Sequence, residues 1–383
     1  LENSLHIVAF DVPFPPNYGG VIDVFYKLVN LHRAGIRVIL HCYEYGRGEQ
    51  KELEKYCYKV FYYKRKTSFL RQLSKVPYII KSRTSEELVN NLLKDSAPIL
   101  FEGLHTCYYL SDPRLKGRMK IYRESNIEHH YYYYLAHAEK NGLKKLYFVT
   151  EARKLYSFQS QLLYADLMLV VSTADQKYLQ AEFPGKAIDY LPSFHPYEKV
   201  SCKPGKGEYV LYHGNLGVSE NVKAAEYLIK NVFSGINHPV IIAGLNPSAK
   251  IYDWVKAFPN ITVIANPKEP HMQELLENAH VHCLYTHQAT GLKLKLLNVL
   301  YSGRFCICND KMLEGTALTN TCIVKNSPEE MIEEINACFQ TEFTARLIEE
   351  RKESLLIFDN DQKTRQLIGS VFGGKKRASN FFS

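Results

Sequence analysis

The sequence predicts an α/β protein made of two doubly wound domains, each with a parallel sheet, and three observations carry that expectation. The chain opens as strand, loop, helix, strand: Leu5 to Phe10 is apolar, Asp11 to Gly20 holds Pro13, Pro15, Pro16, Gly19 and Gly20, Val21 to Ala34 has helical periodicity stopped by Gly35, and Val38 to Tyr43 is apolar again. The same alternation restarts after Pro192, Pro196 and the polar run Lys199 to Gly207, with a strand at Tyr209 to His213. Residues 279–310, AHVHCLYTHQATGLKLKLLNVLYSGRFCICND, then form a strand–helix–strand unit.

The other elements follow in order. Strands are expected at 58–63, 98–101, 119–123 and 167–171, with helices at 85–94, 131–165 and 173–182. In the second half a helix is expected at 220–231, strands at 239–243 and 261–264, and a helix at 270–278. At 383 residues the chain exceeds one ordinary core. The division predicted is a first domain over 1–196, a second over 197–345, and a helical segment over 346–383 that crosses back towards the first and ends in a basic, mobile tail. Ligands of such sheets bind at the carboxyl ends of the strands, so a cleft between the two sets of strand ends is the expected site.

Composition narrows the class. With 46% hydrophobic and 23% charged residues the chain is globular rather than disordered. Nine scattered cysteines lack a Cys-x-x-Cys, and Cys306-x-Cys308 is the one close pair, so neither a disulfide framework nor a metal site is expected and a reducing cytoplasm fits. No stretch reaches the length of a membrane-spanning helix, and no signal-like segment precedes Leu5. The net charge of +8 is uneven: 27 Lys+Arg and 20 Asp+Glu lie in residues 1–195, against 21 and 20 in the rest. Residues 59–83 are the densest part, with eight basic residues, no acidic ones and interleaved aromatics. That mixture suits an anionic bilayer surface, and without a reader motif nucleic acid is not an expected partner.

The chemistry concentrates at 290–298. The helix predicted from Gly291 carries Lys293 and Lys295 near its start, where cations oppose the helix dipole unless an anion sits above them. The expected ligand is therefore an anion, bound by Gly291, Leu292 and their neighbours.

Taken together, the layout resembles the GT-B glycosyltransferases, with two Rossmann-like domains, and in particular the retaining family-4 enzymes (glycosyl transferases group 1). The resemblance runs over essentially the whole chain. PFPPNYGG, ending in Gly19-Gly20, resembles the family's glycine loop; ADLMLVVSTADQKYL at 165–179 and YLPSF at 190–194 resemble the exit from the first domain; YHGNLGVSENVKAAEYLI at 212–229 and AGLNPS at 243–248 resemble the opening of the nucleotide-binding domain. Where the family commonly has Glu-x7-Glu, this chain has Thr290 and Asn298, so both carboxylates are absent; Asn298 retains hydrogen bonds to offer a ribose. Asn215 follows Gly214 where the family often has arginine, and Lys293 and Lys295 are expected to supply the missing charge to a diphosphate.

The resemblance further implies a histidine near the donor sugar. The candidates are His105, after the strand at 98–101, and Asn126, Glu128 and His129, after the strand at 119–123. It implies a metal-independent reaction with no cofactor beyond the nucleotide-sugar donor (UDP- or GDP-linked) and with retention at the sugar. Asp359-Asn360-Asp361 is read as surface charge, a helix break or a cap rather than a metal motif. The function implied is transfer to a glycan or lipid-linked acceptor by a cytoplasmic protein with peripheral contact at the inner membrane face through 59–83. A UDP-sugar 2-epimerase and a degenerate member that binds without turnover remain as alternatives.

Overall fold

The computed structural model describes residues 3–287, 294–318 and 320–373, without the side chains of Phe69 and Leu70. The chain divides into unit 1, residues 1–196 with 358–383, and unit 2, residues 197–357.

Unit 1 is a seven-stranded sheet of β1 (Ser4–Ala9), β2 (Arg37–Glu44), β3 (Lys59–Lys64), β4 (Ile99–Glu102), β5 (Lys120–Arg123), β6 (Leu167–Val170) and β7 (Ala187–Tyr190), in the order β3-β2-β1-β4-β5-β6-β7. Its ladders are parallel. Side chains alternate faces with period two. Leu5, Ile7 and Ala9 of β1 pack with Val24, Leu28 and Leu31 of the helix Gly19–Arg33 and with Leu367 and Val371 of the helix Asn360–Phe372. Val8, Phe101, Tyr122 and Met168 face the other way, onto Leu88, Leu92, Leu155 and Leu179. Each fully buried leucine contributes about 1.5–3 kcal/mol to this sandwich. The first helix ends where Gly35 takes φ +76, which lets the Ile36 N–H reach back to the Leu31 carbonyl at 2.9 Å.

The stretch expected as one helix over 131–165 is three pieces, Glu128–Ala138, Gly142–Phe158 and a 3₁₀ segment Gln159–Tyr164. Asn141 supplies the break: its side chain accepts from the Lys144 N–H at 3.1 Å and caps the second piece. Asp359 likewise caps the last helix by accepting from the Gln362 N–H at 2.8 Å.

Unit 2 holds β8 (Val210–Asn215), β9 (Val240–Leu245), β10 (Ile261–Ala265), β11 (Val281–Leu284), β12 (Phe305–Cys308) and β13 (Ile323–Val324), in the order β10-β9-β8-β11-β12-β13. These ladders are parallel too. Both sheets reverse direction of growth beside their first strand, between β1 and β4 and between β8 and β11, which is where doubly wound sheets bind ligands. Among the described residues no helix is long and apolar enough to cross a membrane.

Gly214 and Gly244 are partners in the β8–β9 ladder, and a Cβ on Gly244 would sit 1.7 Å from the Gly214 carbonyl oxygen. Backbone cannot yield there without parting the two strands. Gly244→Ala is expected to destabilise the protein by about 1–3 kcal/mol in chemical denaturation, the usual cost of overpacking; an unchanged midpoint would refute the close approach.

Candidate functional site

At the unit 1 switch point the chain leaves β1 through Phe10–Tyr18, and two arginines hold this loop. Arg83 Nε donates to the Phe10 carbonyl at 2.7 Å and its Nη1 to the Ile79 carbonyl at 2.6 Å. Arg47 donates to the Pro15 carbonyl at 2.7 Å, pairs with Asp11 at 3.3 Å and lies 5.1 Å from the centre of the Tyr18 ring. Tyr18 donates to Asp11 at 2.8 Å. Gly19 and Gly20 then open the first helix, and a Cβ on Gly20 would meet the Phe10 ring at 2.6 Å, so a small residue is required there. Neither arginine was among the expected site residues, because their role depends on the fold of the loop and not on any local motif.

β4 ends against the same place. Gly103 has φ +69, and its missing Cβ leaves room for His105, whose Nδ1 would otherwise lie 3.0 Å away. The Phe10 and His105 rings sit 5.3 Å apart. Across from them, His105 Nδ1 lies 3.6 Å from Glu128 Oε1, too long for a hydrogen bond. Burial pushes the Glu128 carboxyl up to about 8, against an opposing pull from Arg83. Burial also holds the His105 imidazole well below its usual range, reinforced by Arg83 and Arg65. At neutral pH the pair is thus an uncharged carboxylic acid beside an uncharged imidazole.

The remaining unit 1 candidates divide. Asn126 is half-buried in the loop after β5. His129 turns elsewhere: its Nε2 lies 3.3 Å from the Tyr178 hydroxyl and its ring 5.1 Å from that of Tyr156, and burial, then His130, pushes it down to about 4. The sequence reading missed Glu124, which is fully buried, accepts from the Val171 N–H at 3.2 Å, and is pushed well above the usual carboxylate range by burial and by Asp175.

In unit 2 the carboxyl end of β8 leads directly into the helix Ser219–Asn231, whose first residue is preceded by Val218 with no side-chain cap. Asn215 and Asn221 shape this edge. Asn221 Nδ2 donates to the Asn215 carbonyl at 3.0 Å, and the Gly217 N–H donates to Asn215 Oδ1 at 3.1 Å. Lys295 reaches the same edge from the helix Leu294–Ser302: its Nζ donates to Asn221 Oδ1 at 2.8 Å and lies 5.6 Å from the centre of the Tyr212 ring. Asn298 is half-buried one turn further along that helix. The loop after β11 is tied down nearby, Thr286 donating to Glu220 and exchanging hydrogen bonds with Asn309 at 2.8 and 3.2 Å. Thr290, Gly291, Leu292 and Lys293 lie outside the described residues.

An ammonium and the amino end of a helix thus share one sheet edge. Both features are complementary to an anion, although Glu220 in the first turn of that helix already places one negative charge nearby. A cavity of about 560 Å³, lined by Asp112, Arg118, Lys120 and Asp166 among others, opens at the amino ends of β5 and β6, at the opposite end of the strands from the unit 1 switch point.

Comparison with known proteins adds to this geometry. Residues 207–341 match the family described as glycosyl transferases group 1. The matched segment lies within unit 2. The fold of the chain is GT-B. A Klebsiella pneumoniae relative, an uncharacterized 44.6 kDa protein in the cps region, is 24% identical over 345 residues, covering 81% of this chain and 84% of its own. Anabaena Alr3699/HepE, solved with UDP-glucose, matches with a TM-score of 0.64 at 12% identity over 96% of this chain and 99% of its own. The N-terminal domain of Candida albicans trehalose-6-phosphate phosphatase matches with a TM-score of 0.66 at 11% identity over 97% of both chains. At such identities the structural matches speak for fold alone. Lys295, Asn298, Gly214 and Asn215 all lie in the matched segment.

Proposed function

We propose that the protein is a glycosyltransferase that binds a nucleotide sugar at the β8–β11 switch point of unit 2. The observation that carries this reading is Lys295, held by Asn221 beside the amino end of the helix Ser219–Asn231. There its charge complements a diphosphate, and it stabilises the negative charge that grows on the leaving phosphate as the sugar bond breaks. Asn298, one turn on, is assigned to a ribose hydroxyl in place of a carboxylate. Lys293, Gly291, Leu292 and Thr290 are assigned to the same pocket by resemblance.

The reaction proposed is metal-independent and retaining. Asp359 caps a helix, which supports reading the Asp-x-Asp sequence as structural. The neutral His105–Glu128 pair is assigned hydrogen bonds to sugar hydroxyls, with Asn126 beside it. The HepE structures, solved with UDP and with UDP-glucose, favour a uridine nucleotide. The position of the Klebsiella relative in the cps region favours a polysaccharide or lipid-linked acceptor. Exposed Leu73 within the basic stretch 59–83 supports peripheral contact with an anionic membrane from the cytoplasmic side.

The lost carboxylates at 290 and 298 keep a second reading in view, a protein that binds a nucleotide sugar without turnover. A thermal-shift panel of UDP, GDP, ADP and their sugars tests binding, and release of nucleoside diphosphate from the sugar tests turnover. Lys295→Ala is expected to weaken UDP binding about tenfold or more while leaving uridine binding within about twofold, since one charge-assisted hydrogen bond is worth roughly 1.5–3 kcal/mol. Equal losses for both ligands would remove Lys295 from the diphosphate.

A further inference from the structure

Cysteines that are scattered in sequence meet on one face of the unit 2 sheet. Cys306 and Cys308 are two apart on β12 and therefore project to the same side. β13 pairs with β12 in parallel, Ile307 opposite Ile323, so one step back in this register sets Cys322 opposite Cys306. The three sulfurs all lie within 4.8 Å of one another. Cys306 and Cys308 are buried and Cys322 is partly exposed. The apolar core of unit 2 takes Ile307 and Ile323 from the opposite face, so the thiols are not part of that packing.

The surroundings suit a bound ion. A cavity of about 160 Å³, lined by Cys306, Cys322, Thr321, Phe343, Glu350 and Arg351 among others, reaches two of the three cysteines and is large enough for an ion and a water molecule. Arg351 fills one side with its guanidinium committed to the Gly303 and Arg304 carbonyls at 2.5 and 2.6 Å. Three convergent thiolates are a soft donor set, of the kind that selects Zn(II) or Cu(I) over hard cations.

We propose that Cys306, Cys308 and Cys322 form a thiolate metal site for a zinc-like ion, whose fourth position is completed by solvent through the cavity. Binding would release the thiol protons to solvent and involve no change of oxidation state. Its consequence is mechanical. β13 is a two-residue edge strand at the end of the excursion from Asn309 to Cys322, and Asn309 also anchors the loop after β11 through Thr286. An ion joining Cys308 to Cys322 closes that excursion at both ends and stiffens the edge of the proposed nucleotide site. The sequence concealed this, because Cys322 is 14 residues beyond Cys308 and only the strand register brings it back.

The test uses the full chain, reduced with a phosphine and freed of metal by chelation. Titration with Co(II) is expected to saturate at one equivalent per chain, with near-ultraviolet thiolate-to-cobalt charge-transfer absorption that Zn(II) abolishes by displacement. Cys322→Ser should weaken uptake at least 100-fold, while Cys338→Ser, outside the cluster, should leave it within about twofold. Zn(II) should also slow alkylation of Cys322 in the unmodified chain, a readout that needs no variant. No charge-transfer absorption at one equivalent, unchanged uptake in a folded Cys322→Ser protein, or isolation of a metal-free Cys306–Cys322 disulfide form would each overturn the proposal. These readouts are independent of nucleotide binding, so failure of the functional reading would leave them standing.

Discussion

Asp23→Ala is expected to destabilise unit 1 by about 3–5 kcal/mol, the usual cost of breaking a buried ion cluster by removing one partner. Asp23 is buried on the first helix and accepts from Arg123 Nε at 3.2 Å, from Lys27 Nζ at 3.1 Å and from the Phe194 N–H at 2.7 Å. Lys27 also donates to Glu102 Oε1 at 2.6 Å, and Lys363 of the last helix donates to the Ser193 carbonyl at 2.7 Å. These groups join the helix behind Gly19-Gly20, the ends of β4 and β5, the segment leaving β7 and the C-terminal helix. Deleting Asp23 leaves Arg123 and Lys27 buried with one negative partner fewer, so the loss exceeds that of a hydrogen bond in isolation.

The cluster also fixes a pH response. Burial alone would raise the Asp23 carboxyl, yet Arg123, Lys27 and the Phe194 N–H outweigh it and hold the group well below the usual carboxylate range. A carboxyl lowered on folding gives stability that is present above its unfolded pKa, about 3.9, and is lost as the pH falls through the folded value. Asp23→Ala should therefore flatten the acid limb of stability. Guanidinium denaturation at pH 7 and pH 3 measures both effects, and a loss under about 1 kcal/mol at pH 7 would show the cluster to be dispensable.

What the sequence disclosed and what it hid follow from the range of the interactions. The strands and the first helix were legible because their side-chain periods are local, and the restart after residue 196 was legible because loops and strands alternate within about 15 residues. His105 and Glu128 could be named as candidates from their places after strands, but their proximity could not, since it depends on β4 and β5 lying side by side. Arg83, Arg47, Asn221 and Asn309 went unnamed for the same reason: each acts on residues distant in sequence through backbone or amide contacts that leave no motif. The approach of Cys322 to Cys306 and Cys308 left no trace in their spacing along the chain, since it depends on the β12–β13 register. His129 is adjacent to Glu128 in sequence, but successive residues of a helix point about 100° apart and here lie against different neighbours.

Glu128→Gln is expected to become progressively more stabilising relative to the unmodified protein as the pH rises. A carboxyl whose folded pKa is raised to about 8 contributes stability that is fully present below its unfolded value, about 4.3, and is lost as the pH climbs through the folded value. Glutamine does not titrate, so between pH 5 and pH 8 the difference between variant and parent should shift in favour of glutamine by on the order of 3 kcal/mol, at about 1.4 kcal/mol per pKa unit. His105 acts in the opposite sense. Its pKa is lowered on folding, so stability rises with pH through the unfolded value near 6.5, and comparing glutamine with glutamate in the same background cancels that contribution. Under the proposed function the substituted amide would still offer a hydrogen-bond donor to a sugar hydroxyl, so Glu128→Gln should retain donor turnover and lose its decline above pH 8, while Glu128→Ala should lose about 100-fold, as removal of one positioned donor does. Stability measured by denaturation at four pH values and turnover measured across the same range separate the two roles: a parallel pair of stability curves would show Glu128 ionised in the folded protein, and full turnover in Glu128→Ala would remove it from the site while leaving its burial intact.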